Sequence, residues 1–336
     1  MRALVTRAPG QLGLEETPAP ELVPGSVLIR PTAVGMCGTD LEIVDGRIDP
    51  SYVRRPLVLG HEWSGIVVER GASLEAPAEG TRVVVEGIVP CRHCASCVAG
   101  ETNLCDTYDE FGFTRNGAAA DLLVAPTELV HALAPSVSAE SGALVEPAAV
   151  VWRALTRRAP RPGLRVLVIG DGTVGLLAVT LVRLWSPASV TLLGARPEQA
   201  TLAADAGADR FLTDPDAAGI GYDLVIEAAG VPAAVSSALA APRRGGDVVL
   251  LGLAAHGQTV DLPVDDVVNG DITIAGSFGY TSSAWSQVVE LLNAGRLDLS
   301  FLVTHRYRLE DWAAALSTLR SPTGARGTVL VEPGAG

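Results

Sequence analysis

Apolar and polar positions alternate in short stretches through the first third of the chain. Residues 26–31, 65–69 and 81–86 each read as strands, and Pro, Gly and Asn break them apart. That pattern predicts a small barrel-like sheet. Near Ser138 the character changes. Residues 138–158 are rich in Ala and Leu with Glu and Arg, which predicts a helix leading out of the first domain despite Pro147 near its start. From Arg165 onward strand and helix take turns. The unbroken apolar run 166–169 predicts a strand buried on both faces. A helix at 173–185, a strand at 189–193 and a helix at 197–206 with Pro in its first turn follow. Further strands are predicted at 210–212, 223–228, 246–253 and 272–277, with Gly207 and Gly230 where a stop or tight turn is wanted. This βαβ rhythm predicts a doubly wound parallel sheet, so the fold class is α/β. The tail leaves the rhythm: a helix at 285–294, then strands at 302–309 and 328–332 around a helix at 310–319. These last segments are expected to return to the first domain.

Composition narrows the function classes. Of 336 residues 48% are hydrophobic and 19% charged, which excludes a disordered chain or a coiled coil. The formal net charge of −13 argues against nucleic acid or an anionic membrane as the main partner. All 25 basic residues are arginine. The absence of lysine removes Schiff-base aldolases, pyridoxal-phosphate enzymes and Walker-A NTPases, each of which needs an amine in its site. Residues 1–16 build no signal-peptide core, and no apolar run reaches 18 residues. A cytoplasmic address is therefore expected. In that reducing compartment the five cysteines are read for metal or catalysis before disulfides.

The strongest chemical signal is Cys91-x2-Cys94-x2-Cys97-x7-Cys105. Four clustered thiolates close a tetrahedral zinc shell of the structural kind, and an iron–sulfur cluster is the competing use. His93 breaks the ligand spacing and is read as a loop residue. The fifth cysteine, Cys37, sits in Gly35-Met36-Cys37-Gly38-Thr39-Asp40, upstream of Gly60-His61-Glu62-Trp63-Ser64-Gly65 and of Glu146-Pro147. One thiolate, one imidazole and a carboxylate would leave a zinc with an open position for an alcohol. The alternative is that the His-Glu pair is a surface feature and Glu146 an ordinary helix-start acid.

Gly170-Asp171-Gly172-Thr173-Val174-Gly175 follows the buried strand and opens a helix, the setting a dinucleotide fingerprint requires. An ordinary Gly-rich turn is the alternative. At the end of the second strand the chain reads Leu193-Gly194-Ala195-Arg196-Pro197, with no acid for a ribose 2′-hydroxyl. Gly194 makes room, and the Arg196 guanidinium favours the 2′-phosphate of NADP over NAD. Otherwise Arg196 is a solvated residue at the start of the next helix.

These motifs, in this order and nearly end to end, resemble the zinc-dependent medium-chain dehydrogenase/reductase superfamily, which includes alcohol, sorbitol, threonine and glucose dehydrogenases. The Cys-Gly-Thr-Asp-x-Glu-Ile stretch looks like microbial glucose dehydrogenases, and Gly276-Ser277-Phe278-Gly279-Tyr280 looks like the sorbitol branch. The Gly-His-Glu-Trp-Ser-Gly block is similar to inosamine dehydrogenases. The resemblance implies a chaperonin-10-like β-barrel catalytic domain over residues 1–150 and 296–336, with a structural-zinc lobe at about 88–108, and a Rossmann domain over 151–295. It also implies two zincs per chain. Cys37, His61, Glu62 and Glu146 would surround the catalytic zinc, with Glu62 bound directly or exchanging with water. Cys91, Cys94, Cys97 and Cys105 would hold the structural one. Thr39 would hydrogen-bond the substrate oxygen and start a proton relay, while Gly170, Gly172, Thr173, Val174, Gly175, Gly194 and Arg196 would bind NAD(P). One departure stands out: several relatives carry a histidine five residues after the cysteine ligand, where this chain has Glu42.

The activity so implied is reversible hydride transfer between NAD(P) and a secondary alcohol of a small sugar, polyol or cyclitol, in a homodimer or homotetramer with no nucleic acid or membrane partner. The edge near 272–277 is expected to pair subunits. Two rivals are a zinc-free quinone or enoyl reductase, which lacks these cysteines, and a non-catalytic nucleotide-binding protein, which has no use for an open metal position. Trp63 is a candidate pocket wall or barrel-core residue. Tyr280 and Phe278 are candidates for the cleft or a subunit interface, and Tyr52, Phe111 and Arg115 are weaker pocket candidates. His131, His256 and His305 read as structural or surface residues.

Overall fold

The computed structural model describes residues 1–72, 75–253, 257–321 and 323–334. His256 lies outside the described residues. The chain divides into two compact units: Met1–Glu146 with Thr281–Ser321 and Thr328–Gly336, and Pro147–Tyr280 with Pro322–Gly327.

The first unit is built on the strand Ser26–Met36, eleven residues whose buried positions predominate along its length. It pairs antiparallel with Glu62–Arg70, with Leu123–Pro126 and with Thr328–Glu332. Arg82–Val85 and Val130–Ala132 extend the sheet on one side and Val303–Arg308 on the other. The register against Glu62–Arg70 shifts between Pro31 and Ala33. Proline has no N–H to give the ladder, so pairing must slip there. Ile29, Val34, Trp63, Val67, Val83 and Val85 meet inside as the core. Gln11–Glu16, Arg2–Ala8 and Leu57–Val58 make a separate small sheet.

As the alternation in the tail led one to expect, Thr328–Glu332 returns to the first sheet, with Leu330 opposite Gly35. The helix Ser282–Asn293 also belongs to this unit. The βαβ rhythm had assigned it to the parallel sheet, up to residue 295. Its bonds explain the difference. Ser282 N–H donates to Thr102 Oγ1 at 3.0 Å, Ala134 N–H donates to Asn293 Oδ1 at 2.7 Å, and Trp285, Val288 and Leu292 are buried. The division therefore falls after Glu146 and after Tyr280 rather than after 150 and 295.

The second unit carries a parallel sheet in the order Arg210–Leu212, Ser189–Leu193, Arg165–Ile169, Tyr222–Glu227, Pro242–Leu250, Thr273–Gly276. Val166, Val168, Val190, Leu192 and Val225 are fully buried, as central parallel strands require. The helix after the first strand runs Thr173–Val182 and ends in a tighter turn, Arg183–Trp185. The helix expected over 138–158 is two, Ala139–Ala143 and Val145–Arg157, parted at Leu144.

Candidate metal and nucleotide sites

Cys37 ends the strand Ser26–Met36 and caps the helix Gly38–Asp45. Its N–H donates to Asp40 Oδ2 at 2.9 Å, so three residues of sequence fix the thiol's direction. On the neighbouring strand Glu62 pairs with Gly35. A β-carbon at residue 35 would overlap the Glu62 carboxylate, so glycine is what lets that carboxylate sit there. Gly60, at φ +100°, makes the turn that presents His61, and a β-carbon there would come within 2.8 Å of Ala119 N and Val34 Cγ1.

The three donors converge. Cys37 Sγ lies 3.2 Å from His61 Nε2, which is 3.9 Å from Glu62 Oε1, and one ligand atom of each lies within 4.8 Å of the others. The other imidazole nitrogen, Nδ1, is 3.6 Å from Asp40 Oδ1, and both atoms are buried without a hydrogen bond. A half-buried thiol and a buried imidazole and carboxyl, their ligand atoms close together, fit a zinc ion by donor type. Burial pushes the Cys37 thiol up to about 11, against the pull of His61. Burial likewise raises the Glu62 carboxyl to about 7. Both shifts favour the protonated groups, whose protons a bound metal would displace.

Glu146, at the start of Val145–Arg157, is also buried. Burial first, then the Glu62 charge, holds its carboxyl well above the usual range. It stands outside the group of three donors that come within 4.8 Å of one another. Thr39 is half-buried in the first turn after Cys37.

Cys91, Cys94, Cys97 and Cys105 form a second group of mutually close ligand atoms. Cys91 Sγ and Cys97 Sγ are 3.9 Å apart, too far for a disulfide. Main-chain N–H groups aim at the sulfurs: Cys94 N–H at Cys91 Sγ and Cys91 N–H at Cys105 Sγ, each at 3.3 Å. The main-chain N–H groups of His93 and Cys94 hold the Cys91 thiol down at about 6, which favours the thiolate. The His93 ring is exposed, with Nδ1 2.7 Å from the Cys91 carbonyl.

In the second unit, Gly170 at φ +117° packs on the Ala228–Ala229 backbone, and a β-carbon on Gly175 would collide with the Gly170 carbonyl. Gly172, by contrast, faces open space and caps Thr173–Val182 with no side-chain bond. An unfilled cradle at the N-terminus of a ten-residue helix fits a pyrophosphate. Val174 lies in that helix's first turn.

At the end of the second strand the sequence lacks an acid, but the structure brings one. The Asp171 carboxylate fills the room that Gly194 leaves; its Oδ2 accepts the N–H groups of Ala195 and Arg196 at 2.9 Å each. Arg196 is not solvated. It is buried, with Nη2 donating to Asp171 Oδ1 and to the Asp171 carbonyl, both at 2.9 Å.

Sequence reasoning missed Asp40, Asp171, Gln199, Arg326 and Glu110. The signal for Asp40 was present: an acid three residues after Cys37 at a helix start is a capping-box position. Glu110 carried no spacing cue. It is buried near His61 and Glu146, and burial lifts its carboxyl to about 7. Trp63 packs in the barrel core, since Glu62 and Trp63 point to opposite faces of one strand. Tyr280 is buried and Phe278 exposed. Phe111 joins the core with Arg115 over its ring, whereas Tyr52 is exposed against Tyr108. His131 Nε2 lies 2.9 Å from Glu86 Oε1, and half-buried His305 contacts Thr304.

A barrel with a thiol–imidazole–carboxyl group, joined in one chain to a Gly-looped parallel sheet, defines the class of metal-dependent dinucleotide oxidoreductases. Comparison with known proteins agrees. A family profile described as "Alcohol dehydrogenase GroES-like domain" matches residues 23–135, and one described as "Zinc-binding dehydrogenase" matches residues 173–294. Sorbitol dehydrogenase of Bacillus subtilis (strain 168) is 31% identical over 94% of this chain and 92% of its own length. Among solved structures, a cobalt- and zinc-bound alcohol dehydrogenase from Pyrobaculum aerophilum aligns with TM-score 0.90, 31% identity and 99% of both chains. A candidate zinc-binding dehydrogenase from Sinorhizobium meliloti 1021, bound to NADP, aligns with TM-score 0.91, 28% identity and 99% of both. The chain belongs to the zinc-binding alcohol dehydrogenase family. Among the described residues no helix is long and apolar enough to cross a membrane.

Proposed function

We propose that this protein oxidises, reversibly, a secondary alcohol of a small sugar, polyol or cyclitol, with zinc at the Cys37–His61–Glu62 group and NADP as the preferred hydride carrier. The observation that carries the reading is the convergence of those three donors within 4.8 Å beside a second buried carboxyl, Glu146. The sorbitol dehydrogenase relative supports a polyol substrate. A second zinc belongs in the four-cysteine lobe.

Zinc and nicotinamide, when bound, supply a Lewis acid that acidifies the substrate hydroxyl and an acceptor for the hydride. The chain's residues do the rest. Asp40 Oδ1, 3.6 Å from Nδ1, is the carboxylate oxygen placed to attract an Nδ1–H, which would leave Nε2 as the ligand nitrogen. Cys37 gives up its proton when the cation binds. Thr39 would accept the substrate hydroxyl's hydrogen bond and pass its own hydroxyl proton on as it receives the substrate's; with Glu42 in place of a histidine, the route onward to solvent lacks an imidazole. Gly172 and the helix behind it seat the pyrophosphate, and Arg196 meets the 2′-phosphate. Copies of the chain assemble through the edge strand Thr273–Gly276, near which Val264 and Val268 are exposed; sedimentation reads the resulting mass. Its reduced cysteines suit a cytoplasmic protein.

The test combines metal analysis with turnover. Purified protein is expected to carry two zincs and to reduce NADP with a member of a polyol and aldose panel. Cys37→Ser is expected to keep the fold, lose one zinc and lose turnover. Wild-type turnover in that variant, or two zincs with no activity on the whole panel while a simple quinone is reduced, would overturn the reading.

A further inference from the structure

The chain carries a formal net charge of −13, yet from Pro147 to Gly170 it contains five arginines and neither Asp nor Glu. A run of cations without acids between them, in an acidic protein, concentrates positive potential in one place. The fold sets two of these arginines, Arg157 and Arg158, on the wall of a cavity of about 120 Å³. Ala154, Val249 and Ala275 give it an apolar lining, with Val249 paired to Ala275 across the last two parallel strands. Gly276 and Ser277 complete it, and no acidic residue lines it. A space of that size has room for several water molecules, and so for a small oxyanion.

Three donors stand ready for such a guest. Arg157 Nη1 donates to the Gly276 carbonyl at 2.8 Å, which fixes the guanidinium and leaves its other N–H groups to give. Arg158 is exposed beside it, its main-chain N–H bonded to the Leu155 carbonyl, so the second guanidinium springs from the ordered end of a helix. Ser277 Oγ accepts Arg153 Nη1 at 3.2 Å, from a side chain that is itself buried. A cationic donor polarises that hydroxyl, and the hydroxyl still has its own hydrogen to give. The helix C-terminus also favours a cation at 157, but it has no need of a cavity. Against apolar walls the two charges are screened less than at an open surface.

We propose that this cavity binds phosphate, as the free ion or as the phosphate group of a monoester, held by Arg157 and Arg158 with Ser277 as the third donor. Guanidinium forks match phosphate oxygens bidentately, and two of them without a carboxylate in the lining suit a dianion. The lining lies wholly within the second unit. It includes none of the metal donors and none of the Gly-loop residues, so the site stands apart from the cofactor and substrate reading above.

Calorimetry on the zinc-loaded protein, with inorganic phosphate as the probe and ionic strength held constant, tests the proposal. One saturable site is expected, and it should survive saturating NADP, whose own phosphates would compete at the Gly172 loop. Replacing Arg157→Gln and Arg158→Gln together should weaken phosphate more than about tenfold, the size of a lost charge-assisted hydrogen bond. Ser277→Ala should weaken it by a smaller factor. Arg157→Lys with Arg158→Lys should recover part of the loss, because charge remains while the fork is gone. Both arginines are exposed, so unfolding midpoint and zinc content should match wild type in each variant. Glycerol 3-phosphate separates the two sources: tighter binding than phosphate makes a monoester the ligand, and equal or weaker binding makes it the free ion. Three results would overturn the site. Chloride may reproduce the wild-type heat, which means screening alone. The double Gln variant may bind phosphate as wild type does, which puts the ion elsewhere. NADP may abolish phosphate binding, which assigns the ion to the dinucleotide loop.

Discussion

At the scale of single residues, burial pushes the site's thiol and carboxyls toward their protonated forms. Glu110 shows the consequence most simply. Its carboxyl rises from 4.5 to about 7 through burial, with His61 pulling the other way. Between those values the native state holds a proton that the unfolded chain has released, so stability falls as pH rises through that window. Glu110→Gln removes the liability. In zinc-free protein the variant is expected to be more stable than wild type at pH 8, by up to about 3 kcal/mol, and equal to it below about pH 4.5. Denaturant midpoints at the two pH values read this directly; an equal midpoint at pH 8 would show that Glu110 carries its charge without cost. The residue also marks a limit of legibility. Cys37 and His61 stood out because cysteine and histidine, side chains of the kinds that can bind metal, are rare in this chain. Glu110 is a common acid in a loop, and only the fold makes it unusual. Asp171 is harder still: it lies inside a recognised motif, yet its carboxylate serves the end of a different strand.

Among elements, the four-cysteine lobe was the most legible part of the chain because its spacing is its structure. It contains only the short turns Ala95–Val98 and Thr102–Leu104. Neither is long enough to be stable by itself, so the lobe depends on its sulfurs. Cys94→Ser should therefore act on folding rather than chemistry, since structural zinc contributes folding free energy. The expected result is one zinc lost and a lower, less cooperative thermal transition; a midpoint equal to wild type would mean the lobe packs without its metal. The longer elements were legible only to a degree. Periodicity found the helix near Ser282–Asn293 but assigned it to the wrong unit, because a helix following a strand looks the same whichever sheet receives it. What decided the matter was the capping contacts of Ser282 and Asn293, which no local pattern contains.

For the molecule as a whole, stretches far apart in sequence meet beside the Cys37–His61–Glu62 group. Gly35 pairs with Glu62 on one side and with Leu330 on the other. The strand that delivers Cys37 is thus held in register partly by residues that come almost three hundred positions later. That order was foreseen from the tail's alternation, but the register was not, since pairing depends on contacts far apart in sequence. Its energetic meaning can be measured. Leu330 is fully buried, and truncating it leaves a cavity against the strand that carries the site. Leu330→Ala is expected to cost about 2–5 kcal/mol. If the returning strand only caps the barrel, that loss should appear in the unfolding midpoint alone, with zinc retention under mild chelation unchanged. If it sets the position of Gly35, as the shared register requires, the variant should also release the Cys37–His61–Glu62 zinc faster while the four-cysteine zinc stays. Equal release of both metals would show general loosening instead, and would separate the two roles of the strand in one experiment.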